Sequence, residues 1–139
     1  MRRFFRYLVL PVYRIWALRY IRRERVFSYA GLVLRVPAGI FHPGVFFSTP
    51  IFLDFLQNAD LQGKSVLDVG TGSGALALLA AKRGARVTAI DIAPEAVETA
   101  TANAKSNALD IRVIESDLFE NLPVGVFDVL LINPPYYPR

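Results

Sequence analysis

The chain has 139 residues, 53% of them apolar, with no cysteine, one histidine and a net charge of +4. That length and composition fit one domain with a real core. They exclude a disulfide scaffold, a cysteine-ligated metal and a thiol nucleophile, and the lone His42 leaves no histidine cluster for a metal.

The charge is lopsided. Residues 1–25 hold eight arginines against Glu24, and the remaining residues sum to −3, so the basic character belongs to an N-terminal arm. Residues 3–22 read as a helix broken or kinked at Pro11, which has no N–H to donate. Arg6, Arg14 and Arg19 interrupt its apolar run, so it does not read as a membrane span. It also lacks the apolar core and small-residue cleavage site of an export signal, which points to the cytoplasm. Such an arm fits a solvated stripe on a helix packed against the domain. A basic surface for RNA or an acidic partner, or a membrane-surface helix, would use the same residues.

Arg25–Val36 reads as two short strands around Ala30-Gly31. A loop with Pro37, Gly39, Pro43 and Gly44 follows, and His42 in it reads as a structural or exposed loop histidine. Thr49-Pro50 opens a helix, with Thr49 as N-cap and Pro50 in the first turn. Ile51, Phe52, Phe55 and Leu56 give that helix an apolar face. The pattern then alternates: strand Ser65–Val69, helix Gly74–Arg83 closed by Gly84, strand Arg86–Ile90, helix Pro94–Lys105, and strands Ile111–Ile114 and Phe127–Ile132. Such alternation predicts an α/β fold, a parallel sheet with helices on its faces.

Three signals carry chemistry. In Asp68-Val69-Gly70-Thr71-Gly72-Ser73-Gly74 a strand ends in a glycine-rich turn and a helix begins, which brings a ligand close to backbone at a helix N-terminus. Asp91 ends the second strand, 21 positions after Gly70, where a carboxylate can accept both ribose hydroxyl protons of an adenosine cofactor. These two fit a nicotinamide enzyme or a methyltransferase; a structural glycine turn and a helix-entry acid are the plainer readings. The third signal is Asn133-Pro134-Pro135-Tyr136, at the carboxyl end of the fourth strand. The Asn133 side-chain carbonyl and the Pro134 carbonyl can accept both protons of an NH₂ group, and Tyr136 can stack on a planar acceptor.

The glycine turn and the Asn-Pro-Pro-Tyr tetrad together resemble the class I S-adenosylmethionine (SAM)-dependent N-methyltransferases, of the release-factor glutamine methyltransferase and methyltransferase small domain type. The resemblance covers roughly residues 45–139, with Asp117-Leu118-Phe119 and Phe127-Asp128 as supporting matches. It implies a Rossmann-like SAM-methyltransferase fold. Asp68, Gly70, Thr71, Gly72 and Gly74 would cradle the methionine part of SAM, and Thr49 would lie near the cofactor. Asp91 would hold the ribose, Ile92 would pack on the adenine, and Asp117, with Leu118 beside it, would accept from the adenine amino group. Asn133, Pro134, Pro135 and Tyr136 would hold the acceptor nitrogen, whose lone pair displaces the sulfonium in line, with no metal. The acceptor would be a protein glutamine or an exocyclic amine of an RNA or DNA base, in a release factor, tRNA or rRNA. Pro50 stands where the glutamine methyltransferases often have glutamate.

The resemblance implies two segments: residues 1–40, a basic helix and short strands, and residues 41–139, the SAM-binding domain. It also implies a seven-stranded sheet, of which four strands are legible, ordered 3-2-1-4. The chain therefore reads as truncated after the fourth strand, with Val129–Ile132 on an open edge. A SAM-binding module without catalysis, and a nicotinamide-dependent oxidoreductase, are the competing readings.

Overall fold

In the computed structural model, which describes residues 19, 22–40, 42–44 and 48–134, the chain opens with a hairpin of β1 (Arg25–Tyr29) and β2 (Leu32–Val36). The helix expected over residues 3–22 lies almost wholly outside the described residues, as do Pro135 and Tyr136. Ala30 and Gly31 join the strands with φ of 48° and 79°. Positive φ at both turn residues matches the right-handed twist of the strands they connect. Leu32, Leu34 and Val36 alternate inward and are buried, as a half-buried strand requires.

Helix α1 spans Ser48–Asn58, followed by β3 (Ser65–Val69), α2 (Ala75–Lys82), β4 (Arg86–Asp91), α3 (Pro94–Ser106), β5 (Arg112–Glu115) and β6 (Val129–Ile132). The last four strands form one parallel sheet ordered β5-β4-β3-β6, the expected 3-2-1-4 order. Val66, Val87, Ala89 and Leu131 share one face and are buried together with Leu53 and Leu56 of α1, all of Ala75–Ala80 in α2, Ala104 of α3, and Leu32 and Leu34 of the hairpin. An Ala/Leu helix apolar all round belongs in a core. Truncating one of its fully buried leucines to alanine costs about 2–5 kcal/mol.

The three helices thus share one face of the sheet. The opposite face carries Leu130 and Ile132, each half-exposed. The loop after β5 roofs part of it over a hollow of about 500 Å³ lined by Leu67, Phe119, Phe127 and Leu130. β6 pairs with β3 along one edge, and among the described residues nothing pairs with its other edge.

Most element boundaries differ by a residue or two from the sequence reading, and three of the shifts are at element starts that matter here. Helix α1 begins at Ser48, which puts Thr49 inside it; the Thr49 hydroxyl accepts a hydrogen bond from Asn133. β5 starts one residue late. β6 starts at Val129 because Asp128 serves as a dock: its Oδ2 accepts from the Ser65 backbone N–H at 2.8 Å and the Ser65 hydroxyl at 2.9 Å. Its own N–H donates to the Ser65 carbonyl at 2.9 Å. Those bonds hold the exposed Asp128 carboxyl below its usual pKa, with Lys64 and Arg86 adding a smaller pull.

Two asparagines of α3 complete the free edge of β2. Asn103 accepts from the Arg35 N–H at 2.9 Å and donates to the Arg35 carbonyl at 2.8 Å. One turn on, Asn107 accepts from the Val33 N–H at 3.0 Å and donates to the Val33 carbonyl at 2.8 Å. Two amides four apart on a helix stand about 6 Å apart along its axis. Alternate residues of a strand repeat at nearly the same interval. Each primary amide therefore imitates a strand neighbour.

Candidate functional site

Asp68 sits on β3 in register with Ala89 and Leu131, on the helix-covered face, and is 2% exposed. Its Oδ2 accepts from the Thr71 hydroxyl at 2.7 Å. Burial pushes its pKa up to about 6, with Asp91 pushing the same way, while the Thr71 hydroxyl and the Ala77 backbone amide hold it down.

The glycine turn folds back on the end of β4. The N–H groups of Gly70 and Thr71 both donate to the Ile90 carbonyl, at 2.9 and 3.0 Å, and the Gly74 N–H donates to the Thr71 carbonyl at 2.9 Å. The Gly72 N–H donates to Asp91 Oδ2 at 2.9 Å, and the Ala93 N–H to Asp91 Oδ1 at 3.0 Å. The turn thus commits the N–H groups of Gly70, Thr71, Gly72 and Gly74 to protein acceptors. What the glycines provide is shape. Gly74, at φ 86°, lets α3 approach: a Cβ there would lie 3.2 Å from the Ala100 Cβ. Gly70, at φ 72°, faces open space, with no heavy atom within 4 Å of where a Cβ would stand. A ligand can therefore lie on its backbone.

Asp91 joins the glycine turn to the start of α3. Each carboxylate oxygen already accepts one backbone N–H and keeps a further lone pair for a hydroxyl. Ile92 and Leu118 project just beyond the ends of the neighbouring strands β4 and β5, 64% and 60% exposed. Asp117 is exposed beside them. Leu118 is held at φ 48° by a residue the sequence reading passed over. Ser116, buried, donates its hydroxyl to the Leu118 carbonyl at 2.8 Å and accepts from the Asn121 N–H at 3.0 Å. Its N–H donates to the Asp91 carbonyl at 2.9 Å. A serine next to Asp117 is the only hint the sequence offers.

Asn133 follows β6. Its Nδ2 donates to the Thr49 hydroxyl at 3.1 Å, and its Oδ1 is buried with no hydrogen-bond partner among the described residues. Asn133, Thr49, Asp68, Gly70 and Thr71 line one narrow cleft with Pro43 and Ser73. Its enclosed space of about 20 Å³ is water-sized; it admits one small group, and a larger ligand would extend over the open edge. The structure therefore gathers five of the expected residues there. It places Asp91, Ile92, Asp117 and Leu118 along the adjoining strand ends, uses Gly72 and Gly74 to shape the turn, and leaves Pro134 exposed. His42 is buried beside Pro43 and does not line the cleft: its Nδ1 accepts from the Gly44 N–H at 3.1 Å and its ring meets Phe27 edge-on. Burial, then Arg25, push its pKa down.

Charge is sorted along the strands. Asp91, Glu95, Glu98, Glu115, Asp117 and Glu120 lie at or just after the carboxyl ends of β4 and β5. Lys64, Lys82, Arg83, Arg86, Lys105 and Arg112 lie at the opposite end, where Asp60, Asp110 and Asp128 are the accompanying acids. The bases suit the helix C-termini there. The acids favour a cationic ligand over an anionic one. Among the described residues no group of acids and histidines could hold a metal, and no helix is long and apolar enough to cross a membrane.

Comparison with known proteins agrees with this geometry. A protein of Methanocaldococcus jannaschii assigned as a protein N5-glutamine methyltransferase is 44% identical over 99 residues, 70% of this chain and 50% of that protein. The ribosomal protein L11 methyltransferase of Thermotoga maritima is 37% identical over 112 residues, 79% of this chain and 42% of its own length. Among solved structures, the T. thermophilus 16S rRNA N2 G1207 methyltransferase, in complex with AdoMet and guanosine, superposes with a TM-score of 0.73 at 29% identity. That match covers 83% of this chain and 33% of the other. The Pyrococcus abyssi tRNA (uracil-54, C5)-methyltransferase, at TM-score 0.66 and 20% identity over 81% of this chain and 28% of its own, shares the fold. The chain spans half or less of the length of these relatives. The model of the methyltransferase small domain matches residues 32–138, and the chain belongs to that family.

Proposed function

We propose that the chain supplies the cofactor site and part of the acceptor site of a SAM-dependent methyltransferase acting on a planar nitrogen. The observation that carries this reading is the buried Asn133 Oδ1, unpartnered among the described residues, in the cleft that Asp68 and the glycine turn also line. An unsatisfied buried acceptor costs about 1–3 kcal/mol, a cost that an N–H from a substrate removes. SAM, when bound, supplies an electrophilic methyl group on a sulfonium.

The residues present fit that cofactor. Gly70 leaves room, Asp91 retains lone pairs for ribose hydroxyls, Ile92 and Leu118 offer apolar surface for adenine with Asp117 beside them, and the acidic edge suits a cation. Thr71 and Gly72 hold the turn against Asp68 and Asp91, and Gly74 seats it on α3. The protein's part in the chemistry is then to align a nitrogen lone pair and exclude water. Asn133 Oδ1 accepts one N–H of the acceptor, and Pro134, Pro135 and Tyr136 would complete the grip.

A glutamine amide and an exocyclic base amine both present this donor, and the named relatives include enzymes of each kind. Calorimetry of the protein with SAM, and with NADH as comparator, tests the reading. Binding of SAM alone, lost in Asp91→Ala, is expected; preference for NADH would reverse it. SAM binding with no transfer to a glutamine-bearing peptide or to RNA would leave a binding module.

A further inference from the structure

We propose that Ser116 is a positioning residue that makes the cofactor site selective for its base, acting through Asp117 and Leu118. This rests on the reading of the β4 and β5 strand ends as the place where an adenosine lies. Ser116 directly follows β5 and is 2% exposed. Its hydroxyl donates to the Leu118 carbonyl at 2.8 Å and accepts from the Asn121 N–H at 3.0 Å. Both directions are fixed, since a carbonyl only accepts and an amide N–H only donates.

Leu118 stands in the left-handed region, at φ 48°, a conformation that leucine does not take by preference. A bulky residue persists there only where its surroundings overdetermine it, and such residues cluster at ligand clamps. Here the constraint is identifiable. The buried Ser116 hydroxyl closes residues 116–121 into a ring. Asn121 Nδ2 donates to the Glu115 carbonyl at 3.1 Å and fastens that ring to β5. The Ser116 N–H donates to the Asp91 carbonyl at 2.9 Å and fastens it to the end of β4. The spacing between Asp91 and the Asp117-Leu118 pair is therefore set before a ligand enters. Adenine carries an amino group where hypoxanthine carries a carbonyl. A carboxylate held at Asp117 accepts from the amino group and opposes the carbonyl. Asp117 is itself exposed, so it discriminates only if its backbone cannot swing away. The ring through Ser116 supplies that restraint.

The test titrates S-adenosylhomocysteine and S-inosylhomocysteine into the protein by calorimetry. The proteins compared are the parent, Ser116→Ala, Ser116→Cys, Leu118→Asn and the combination of Ser116→Ala with Leu118→Asn. Cysteine fills the same space with a far weaker donor, so it reports even where alanine prevents folding. Asparagine tolerates the left-handed region unaided. The parent is expected to prefer S-adenosylhomocysteine. Ser116→Ala should lose about tenfold in affinity for it, the worth of one hydrogen bond. The loss for S-inosylhomocysteine should be smaller, so the preference narrows. Ser116→Cys should fall between. In the Leu118→Asn background the loss from Ser116→Ala should shrink to about threefold or less, because the two residues then cease to depend on each other. Equal losses for the two ligands overturn the proposal, as does the same loss in both Leu118 backgrounds. A parent that binds the two ligands alike overturns it too. A parent that binds neither overturns the cofactor reading itself. A parent that binds S-adenosylhomocysteine, with an affinity that no Ser116 substitution moves, removes only the role of Ser116.

Discussion

The backbone N–H of Gly72 donates to Asp91 Oδ2 at 2.9 Å, so the carboxylate at the end of β4 clamps the glycine turn that follows β3. Its other oxygen takes the Ala93 N–H. Asp91 is therefore part of the scaffold before any ligand arrives. Asp91→Ala should lower folding stability without ligand by about 1–3 kcal/mol, because two backbone donors lose their acceptor. Asp91→Asn should fall between, since its amide offers one accepting arm to two donors. Urea unfolding measures this. An unchanged midpoint in Asp91→Ala would mean the carboxylate serves the ligand alone.

Asp68 should make both stability and ligand affinity pH-dependent. Burial raises its folded pKa to about 6, above that of an unfolded aspartate. Between the two values the folded state holds the extra proton, so stability declines as pH rises from about 4 to about 6 and is flat above. The difference is worth about 3 kcal/mol. Asp68→Asn should therefore stabilise the ligand-free protein at pH 7 and flatten this profile. If a cationic cofactor draws on the ionised form, binding near pH 6 should release a proton. Calorimetry in two buffers of different ionisation enthalpy detects it, and identical apparent enthalpies would exclude it.

Much of this was legible in the residues. The parallel sheet and the glycine turn followed from an alternation of short apolar runs with Ala-rich periodic segments, which depends on local pattern; the strand order came from the family resemblance. The contact between Asn133 and Thr49 did not, because the two lie 84 positions apart, and no local rule couples a helix's first turn to a distant strand end. Thr49 itself looked like an N-cap, since threonine before proline is the usual chemistry of a helix start. The Asn103 and Asn107 clamp was invisible for the same reason: two asparagines late in a helix look like surface residues until β2 is laid beside them. The one-sided placement of the helices depends on how the sheet packs, which alternation alone does not state.

Helix α3 ends at Ser106 and is capped by Asn107, followed by Ala108 at φ 52°. The Ala108 N–H donates to the Lys105 carbonyl at 3.1 Å and the Leu109 N–H to the Ala104 carbonyl at 3.0 Å. This is the helix-ending pattern that favours glycine at the left-handed residue. Alanine there carries about 1–2 kcal/mol of strain, partly offset by the greater freedom glycine has when unfolded. Ala108→Gly should raise stability by about 0.5–1 kcal/mol. A lower midpoint in thermal unfolding would show that the alanine is not strained.

Asn103 should be the residue through which the hairpin and the cofactor turn support each other. Its Nδ2 donates to the Arg35 carbonyl at 2.8 Å and to the Ser73 carbonyl at 2.9 Å, and its Oδ1 accepts from the Arg35 N–H. Asn103 itself is 2% exposed, and its bond to the Ser73 carbonyl is buried, while its two bonds to Arg35 are part-buried. Asn103→Ala leaves those three backbone groups short, which costs about 1–3 kcal/mol, most of it at the Ser73 carbonyl. Asn103→Asp is the sharper probe: it keeps the acceptor for the Arg35 N–H but sets a carboxylate against two carbonyls that need a donor. Its loss should therefore match or exceed that of alanine. Hydrogen exchange separates this from general destabilisation. At matched global stability, the Arg35 amide should exchange faster in Asn103→Ala, which removes its acceptor, than in Asn103→Asp, which retains it. The Gly72 and Gly74 amides should lose protection in both. Protection lost equally at every amide would mean that Asn103 merely fills the core and couples nothing.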